Sequence, residues 1–587
     1  MENSMSNSQN NRFKNSFLGL FFHTVKEHPF IVTAFLCFFS ISLTTGSQIS
    51  FVSSLIPTIA IFLLGVCAAA YISINDIKKN KKLYAALMIV GAAVISFVSW
   101  RFIFVSNEVP YRLLNFGLLI IVGIFMYLAL TDKLTYKNVL LLIFAAGFLV
   151  RLVYVMYTPV TVRQHDVSVF GKGSGHSGYI EYIYNNFNVP DMDVRKISQF
   201  YHPPMHHILA AIWLRIQTTL GIAYKDACEN IQILTLFYSS ICMILSYKIF
   251  KALNLKKAAL NISVAIIAFC PTFFIMAGSI NNDILSITFM LGAVLNTIYW
   301  YKNQKFRYII SIAFCVGFGM MTKLSVWMIT PAIAFVFIYV FFKNLKNLKN
   351  SEIRQKYLLQ FSTFIIVCVP LGLWWAFRNF AKYGVPLTYV PMLSSTSDQY
   401  IGDIPFTQRL FDFSLFQFND VGDQFTRFGG AYNEYNPTIA LFKTSMFDEL
   451  ITVSNYPNIA VYNKILFWSA VAIGLIGFVS MIVMLIKKNK ELDMPMKIFM
   501  FLLYGVMFVS YYVFCYQFKH VCTENIRYAV LLIVIGAYFV GLALQHLQSD
   551  KKKTYKKVLN KCIFVITIIF CASSVLVYDI VSMYGIS

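Results

Sequence analysis

Long apolar runs separated by short basic stretches dominate the chain. Phe30–Thr45, Phe51–Ile74, Leu113–Leu130, Val139–Met156, Ile465–Ile486 and Ala529–Leu544 are nearly continuous in apolar residues. A membrane-spanning helix needs about 20 such residues. Strands of a membrane barrel alternate apolar and polar positions instead, and these runs do not alternate. The pattern predicts an all-α polytopic membrane protein of about 15 transmembrane helices.

Composition points the same way. Of the 587 residues, 58% are hydrophobic, 17% aromatic and 13% charged. The mean hydropathy is +0.65. A soluble domain carries roughly 25% charged residues, and a soluble fold of this make-up would expose large apolar patches. The reading excludes a soluble enzyme. Residues 1–29 are polar, then amphipathic, without a small-residue cleavage site, so they predict a cytoplasmic tail before a retained first helix. Most of the 11 cysteines lie within apolar runs, without CxxC spacing, and read as small hydrophobes.

The net charge of +23 first suggests nucleic acid. The basic residues instead cluster between apolar runs, at Lys78–Lys82, Lys251–Lys257, Lys302–Arg307, Lys343–Lys356, Lys487–Lys497 and Lys551–Lys561. That is the pattern of cytoplasmic loops, and no nucleic-acid partner is expected. Two long polar segments, 158–230 and 377–458, lack this bias and are expected outside the cytoplasm. The scheme closes only if Pro203–Leu220, which carries His206, His207, Arg215 and Gln217, lies along the outer surface rather than spanning. The N-terminus then falls inside and the C-terminus outside.

Candidate chemistry gathers at the external ends. The first external loop holds Asp166, Glu181 and five of the nine histidines: His165, His176, His202, His206 and His207. Zinc ligands are of these types, but no HExxH-like pair is present. Asp283 opens an apolar run; alone, it reads as helix N-terminal chemistry. Lys323, Arg378 and Arg527 fall near the same face. Together they suit a lipid phosphate; singly, each is explained by snorkelling. The second loop holds eight Phe or Tyr residues within Phe411–Tyr435, which argues for packing over disorder.

In this order the pieces resemble the GT-C superfamily of membrane glycosyltransferases, especially the protein-mannosyltransferase and aminoarabinose-transferase branch (glycosyltransferase family 39-like). The resemblance rests on Asp166 in the first loop, then His202-Pro203-Pro204-Met205, Asn282-Asp283 and Thr322-Lys323. Arg378-Asn379…Tyr383-Gly384-Val385-Pro386 and Arg527-Tyr528 follow. It covers 136–546 as a catalytic region. Additional helices at 30–135 precede it, and a basic loop with a last helix, 547–587, follows. The chain departs from the family in having His165 before Asp166 where many relatives have two adjacent carboxylates. No large soluble C-terminal domain of the kind oligosaccharyltransferases have is expected.

The resemblance implies a sugar donor on polyprenyl phosphate, a membrane-lipid setting, and a glycan, lipid or protein acceptor. It implies two catalytic residues, Asp166 as general base with inversion and Asp283 to hold the acceptor, a metal ion or a catalytic side chain. Arg378, Lys323 and Arg527 would hold the donor phosphate, and His165, His202, His206 and Tyr383 would contact substrate. No cofactor follows with certainty; a divalent metal, Mg or Mn, would fall to Asp166 and Asp283. A bacterial plasma membrane with an extracytoplasmic site is expected. The competing readings are a transporter or lipid-linked sugar flippase, which predicts inverted repeats not evident in the sequence, and a non-catalytic envelope scaffold.

Overall fold

The computed structural model describes residues 109–160, 167–397, 399–414, 427–428, 431–432, 435–448, 451, 456, 459–487, 492–549 and 554–584. Among them, 11 helices are long and apolar enough to cross a membrane, and Phe306–Thr322 is a shorter apolar helix. The chain is an integral membrane protein with an all-helical polytopic fold. The runs Phe30–Thr45 and Phe51–Ile74 lie outside the described residues. A two-residue antiparallel pair, Arg427–Phe428 with Ala431–Tyr432, is the extended ladder found in the second long loop.

The chain divides into two units, residues 1–149 with 582–585 and residues 150–581 with 586–587. In the first unit lies α1 (Val109–Leu130). Helix α2 (Tyr136–Tyr157) begins there and continues into the second.

The second unit opens with loop helices α3 (Gly175–Asn186) and α4 (Met205–Thr219), which pack together. At 15 residues, α4 is about 22 Å long, short of the roughly 30 Å hydrocarbon core. His206, His207 and Gln217 on it are buried, while Ile212 and Ile216 are exposed. Helices α5 (Tyr224–Glu229), α6 (Gln232–Ala252), α7 (Lys257–Phe269) and α8 (Pro271–Gly278) follow, then α9 (Asp283–Asn303) and α10 (Phe306–Thr322). A 3-10 turn, Leu324–Ile329, leads into α11 (Thr330–Lys343), and α12 (Ser351–Tyr383) completes this half. The later part comprises α13 (Phe406–Phe411), α14 (Pro437–Met446), α15 (Ala460–Ile486), α16 (Met494–Gln517), α17 (Leu531–Ser549) and α18 (Thr554–Tyr584).

The break between α7 and α8 has a local cause. Pro271 offers no N–H to the Ile267 carbonyl and takes the first helical position of α8. Arg151, fully buried on α2, covers the opening. Its guanidinium donates to the carbonyls of Ala268 (2.6 Å) and Ile267 (3.1 Å), and its Nε donates to Ser239 Oγ (3.0 Å). A stripe on α6 covers the rest of α8. Ser239 donates to Phe273 O, Thr235 to Ala277 O and Gln232 to Gly278 O, at 2.6–2.8 Å. Lipid has no water to satisfy such carbonyls, so a buried cation there is accounted for by its partners. The scaffold fixes where the chain re-enters as α9.

Helices α10 and α12 approach closely through small residues. A Cβ on Gly317 would stand 2.9 Å from the Leu371 Cβ, and one on Gly372 would stand 3.0 Å from the Met320 sulfur. The ends of both helices, with Lys323 and Trp375, therefore meet at one place.

Candidate active site

Asp283 is the first residue of α9, where a carboxylate is favoured by the helix dipole. Its side chain does no capping; the Asn281 carboxamide accepts the Asp283 N–H instead (3.0 Å), and Asn282 donates to Thr322 O (2.7 Å). The second of these bonds ties the start of α9 to the end of α10. Lys323, at the C-terminal cap of α10, donates to Asp283 Oδ1. Arg527 Nη1 stands 3.9 Å from Asp283 Oδ2. Side-chain exposure is 4% for Asp283, 13% for Lys323 and 11% for Arg527. The Tyr528 ring lies 4.8 Å from Lys323 Nζ, and its hydroxyl accepts from Arg527 (3.0 Å).

Two cations and one carboxylate thus line a cavity of about 260 Å³, together with His176, His202, Asn379 and an aromatic wall that includes Trp327, Trp375 and Tyr511. The segment bearing Arg527 is fixed from behind. Arg409 on α13 forms a fully buried ion pair with Glu524 (2.5 Å) and donates to Cys515 O (2.9 Å) and Tyr435 O (3.2 Å).

The first loop forms the opposite wall. Gly171, Gly173 and Gly175 take positive φ, a conformation glycine adopts without penalty, and a Cβ on Gly178 would stand 2.4 Å from the Gly173 carbonyl carbon. This turn sets α3 against the loop so that His176 reaches the cavity. His176 Nδ1 shares a 2.9 Å hydrogen bond with His207 Nε2, and His202 stacks on His176 at 5.3 Å. Burial lowers all four histidines of this cluster below their ordinary value, His206 to about 4, so they are neutral at pH 7.

Of the residues singled out in the sequence, Asp283, Lys323, Arg527 and His202 meet at the cavity. His206 lies behind it, fully buried, with Nε2 on the Ile280 carbonyl (2.7 Å). Arg378 and Tyr383 belong to a separate cluster. Both donate to Asp191 Oδ1, at 2.6 and 3.0 Å, and Lys382 joins them at 2.9 Å. Asp166 and His165 lie outside the described residues. Among the described residues, no three His, Cys, Asp or Glu side chains are grouped to hold a metal ion; the Asp283 oxygens face Lys323 and Arg527 instead. Sequence reasoning named His176 only as one of five loop histidines and did not single out Arg409 or Glu524. For His176 the glycine spacing of GKGSGHSG was the available signal.

Residues 201–375 match the family model described as dolichyl-phosphate-mannose-protein mannosyltransferase. Among curated proteins, none matches the chain. Solved structures that resemble the fold include the Archaeoglobus fulgidus oligosaccharyltransferase in its apo form (13% identity, 76% of this chain and 56% of that chain, TM-score 0.44). They also include the same enzyme tethered to an acceptor peptide with the NVT sequon (12%, 76% and 55%, 0.44). A third is its complex with an inhibitory peptide and a dolichol-phosphate (11%, 76% and 56%, 0.41). The chain spans little more than half the length of these archaeal enzymes. The matched segment, 201–375, carries His202, Asp283 and Lys323, and through it the chain is similar to the protein-mannosyltransferase family.

Proposed function

We propose that the chain transfers a sugar from a polyprenyl-phosphate donor to a glycan, lipid or protein acceptor at the extracytoplasmic face of a bacterial plasma membrane. The observation that carries this reading is the cavity in which Lys323 and Arg527 flank Asp283, leaving one net positive charge among aromatic walls. Fixed cations in a water-poor site stabilise the charge that develops on a leaving phosphate. Lys323 and Arg527 hold that phosphate. Asp283 keeps the two cations in place and faces the acceptor. His202 contacts the sugar.

Asp166, in the first loop, acts as general base on the acceptor hydroxyl, giving inversion at the anomeric carbon. Arg378, engaged with Asp191, joins the site only where the phosphate displaces that carboxylate; otherwise it holds residues 190–196 against α12, with Tyr383 beside it.

The test is a transfer assay with purified chain in detergent, radiolabelled polyprenyl-phosphate hexoses and a crude envelope fraction. Wild type should move label, and Asp166→Asn should not while remaining folded. Lys323→Met and Arg527→Met should each raise the donor KM about tenfold or more, the worth of one charge-assisted contact. Full activity in Asp166→Asn would remove that residue from the mechanism. Donor binding without transfer by wild type would favour a flippase.

A further inference from the structure

His176 and His207 are 31 residues apart and come from different helices. Their rings lie within 3° of parallel at 5.2 Å, and His207 is stacked on Tyr179 at 4.0 Å. His207 is fully buried and His176 is 2% exposed. The bond between them uses His176 Nδ1 and leaves Nε2 outside it, on a residue that lines the same cavity as Asp283, Lys323 and Arg527.

A neutral pair of imidazoles joined by one hydrogen bond has two arrangements. If His207 donates, His176 Nδ1 accepts and its Nε2 carries a proton toward the cavity. If His176 donates, its Nε2 presents a lone pair. Neither arrangement changes the charge of the site. A hydroxyl both donates and accepts, so it suits this nitrogen in either state. A phosphate only accepts, and the two cations opposite already suit it.

The geometry points to His176 as the residue that contacts a hydroxyl of the transferred sugar, with His207 as the positioning residue that sets its tautomer. This inference rests on the reading of the cavity as a glycosyl-transfer site. The histidine wall then selects the sugar, and the cationic wall binds the phosphate. Burial that keeps both rings neutral supports the division.

The experiment uses the full chain in detergent, one polyprenyl-phosphate hexose that it transfers, and the monodeoxy analogues of that donor. Wild type should lose about 10–100-fold in kcat/KM for one analogue, as expected for one lost hydrogen bond to a buried partner. His176→Ala should transfer the parent sugar more slowly and treat the parent and that analogue alike. His207→Phe, which keeps the ring on Tyr179 but removes the bond that orients His176, should narrow the preference severalfold, and His207→Gln should keep most of it. A merely structural role would lower stability in these variants without touching the preference.

Should His176→Ala fail to fold, His176→Gln serves in its place and must narrow the preference severalfold. A His176 variant that transfers sugar with the wild-type preference overturns the contact and leaves the transferase reading standing. A wild-type chain that transfers none of these sugars overturns the reading itself, and the contact with it.

Discussion

The buried pair Arg409–Glu524 makes a prediction with a defined size. Both side chains are 1% exposed, so solvent screens neither. Removing one partner of such a pair costs roughly 3–5 kcal/mol, because the other charge stays buried without it. Arg409 also serves the carbonyls of Tyr435 and Cys515, each costing about 1–3 kcal/mol when left without a donor. Arg409→Met keeps the stem beside the Phe406 ring and removes every one of these bonds. Adding Glu524→Met removes the carboxylate that has lost Arg409. The double variant should therefore be about 3–5 kcal/mol more stable than Arg409→Met alone. The assay is reversible unfolding in mixed micelles, with the folded fraction followed against the mole fraction of SDS. A double variant no more stable than Arg409→Met would refute the ion-pair account. Transfer should fall in Arg409→Met even in the folded fraction, since residues 521–528 carry Arg527.

Arg151→Met should cost about 2–4 kcal/mol in the same assay, through three lost hydrogen bonds at the α7–α8 break; an unchanged unfolding curve would show that the break needs no cover. For the histidine cluster, the folded values lie below the ordinary 6.5, so the stabilisation is complete above about pH 6.5 and is lost as pH falls toward 4. His206 alone accounts for about 3 kcal/mol over that range. Stability measured from pH 8 to 4.5 should drop below 6.5, and His206→Gln should flatten the drop; identical slopes would sink the assignment.

What the sequence revealed follows from contrast. Asp283 and Lys323 stand at the ends of apolar runs, where an ionisable residue is conspicuous and its position along the helix fixes its depth. The same logic kept α4 out of the count of spans, since histidines, an arginine and a glutamine interrupt it. Pairings between distant elements were hidden. Arg409 and Glu524 are 115 residues apart, and nothing local marks either as buried. Arg378 looked equivalent to Lys323 and Arg527 because the loop pattern predicts all three near one membrane face. The fold separates them, because residues 190–196 bring Asp191 to the end of α12. His176 was one of five loop histidines until the glycine turn placed it at the cavity, with a partner on another helix.

The placement of Asp283 between two cations bears on how the site waits for its substrate. In a water-poor cavity two neighbouring cations repel strongly, and one carboxylate between them offsets that repulsion while leaving one positive charge for an anion. Asp283→Asn raises the local charge from +1 to +2. Donor binding should then tighten, because the phosphate no longer competes with a carboxylate for Lys323. Turnover should fall, because the cations lose the group that orders them and the acceptor loses its carboxylate. The expected signature is a lower donor KM, by about threefold to tenfold for ~1 kcal/mol, together with a much lower kcat. Binding measured with radiolabelled donor separates the two effects. A donor affinity that falls in Asp283→Asn would mean that the carboxylate holds Lys323 and Arg527 in the only geometry that accepts phosphate, and ordering rather than charge balance would then be its task.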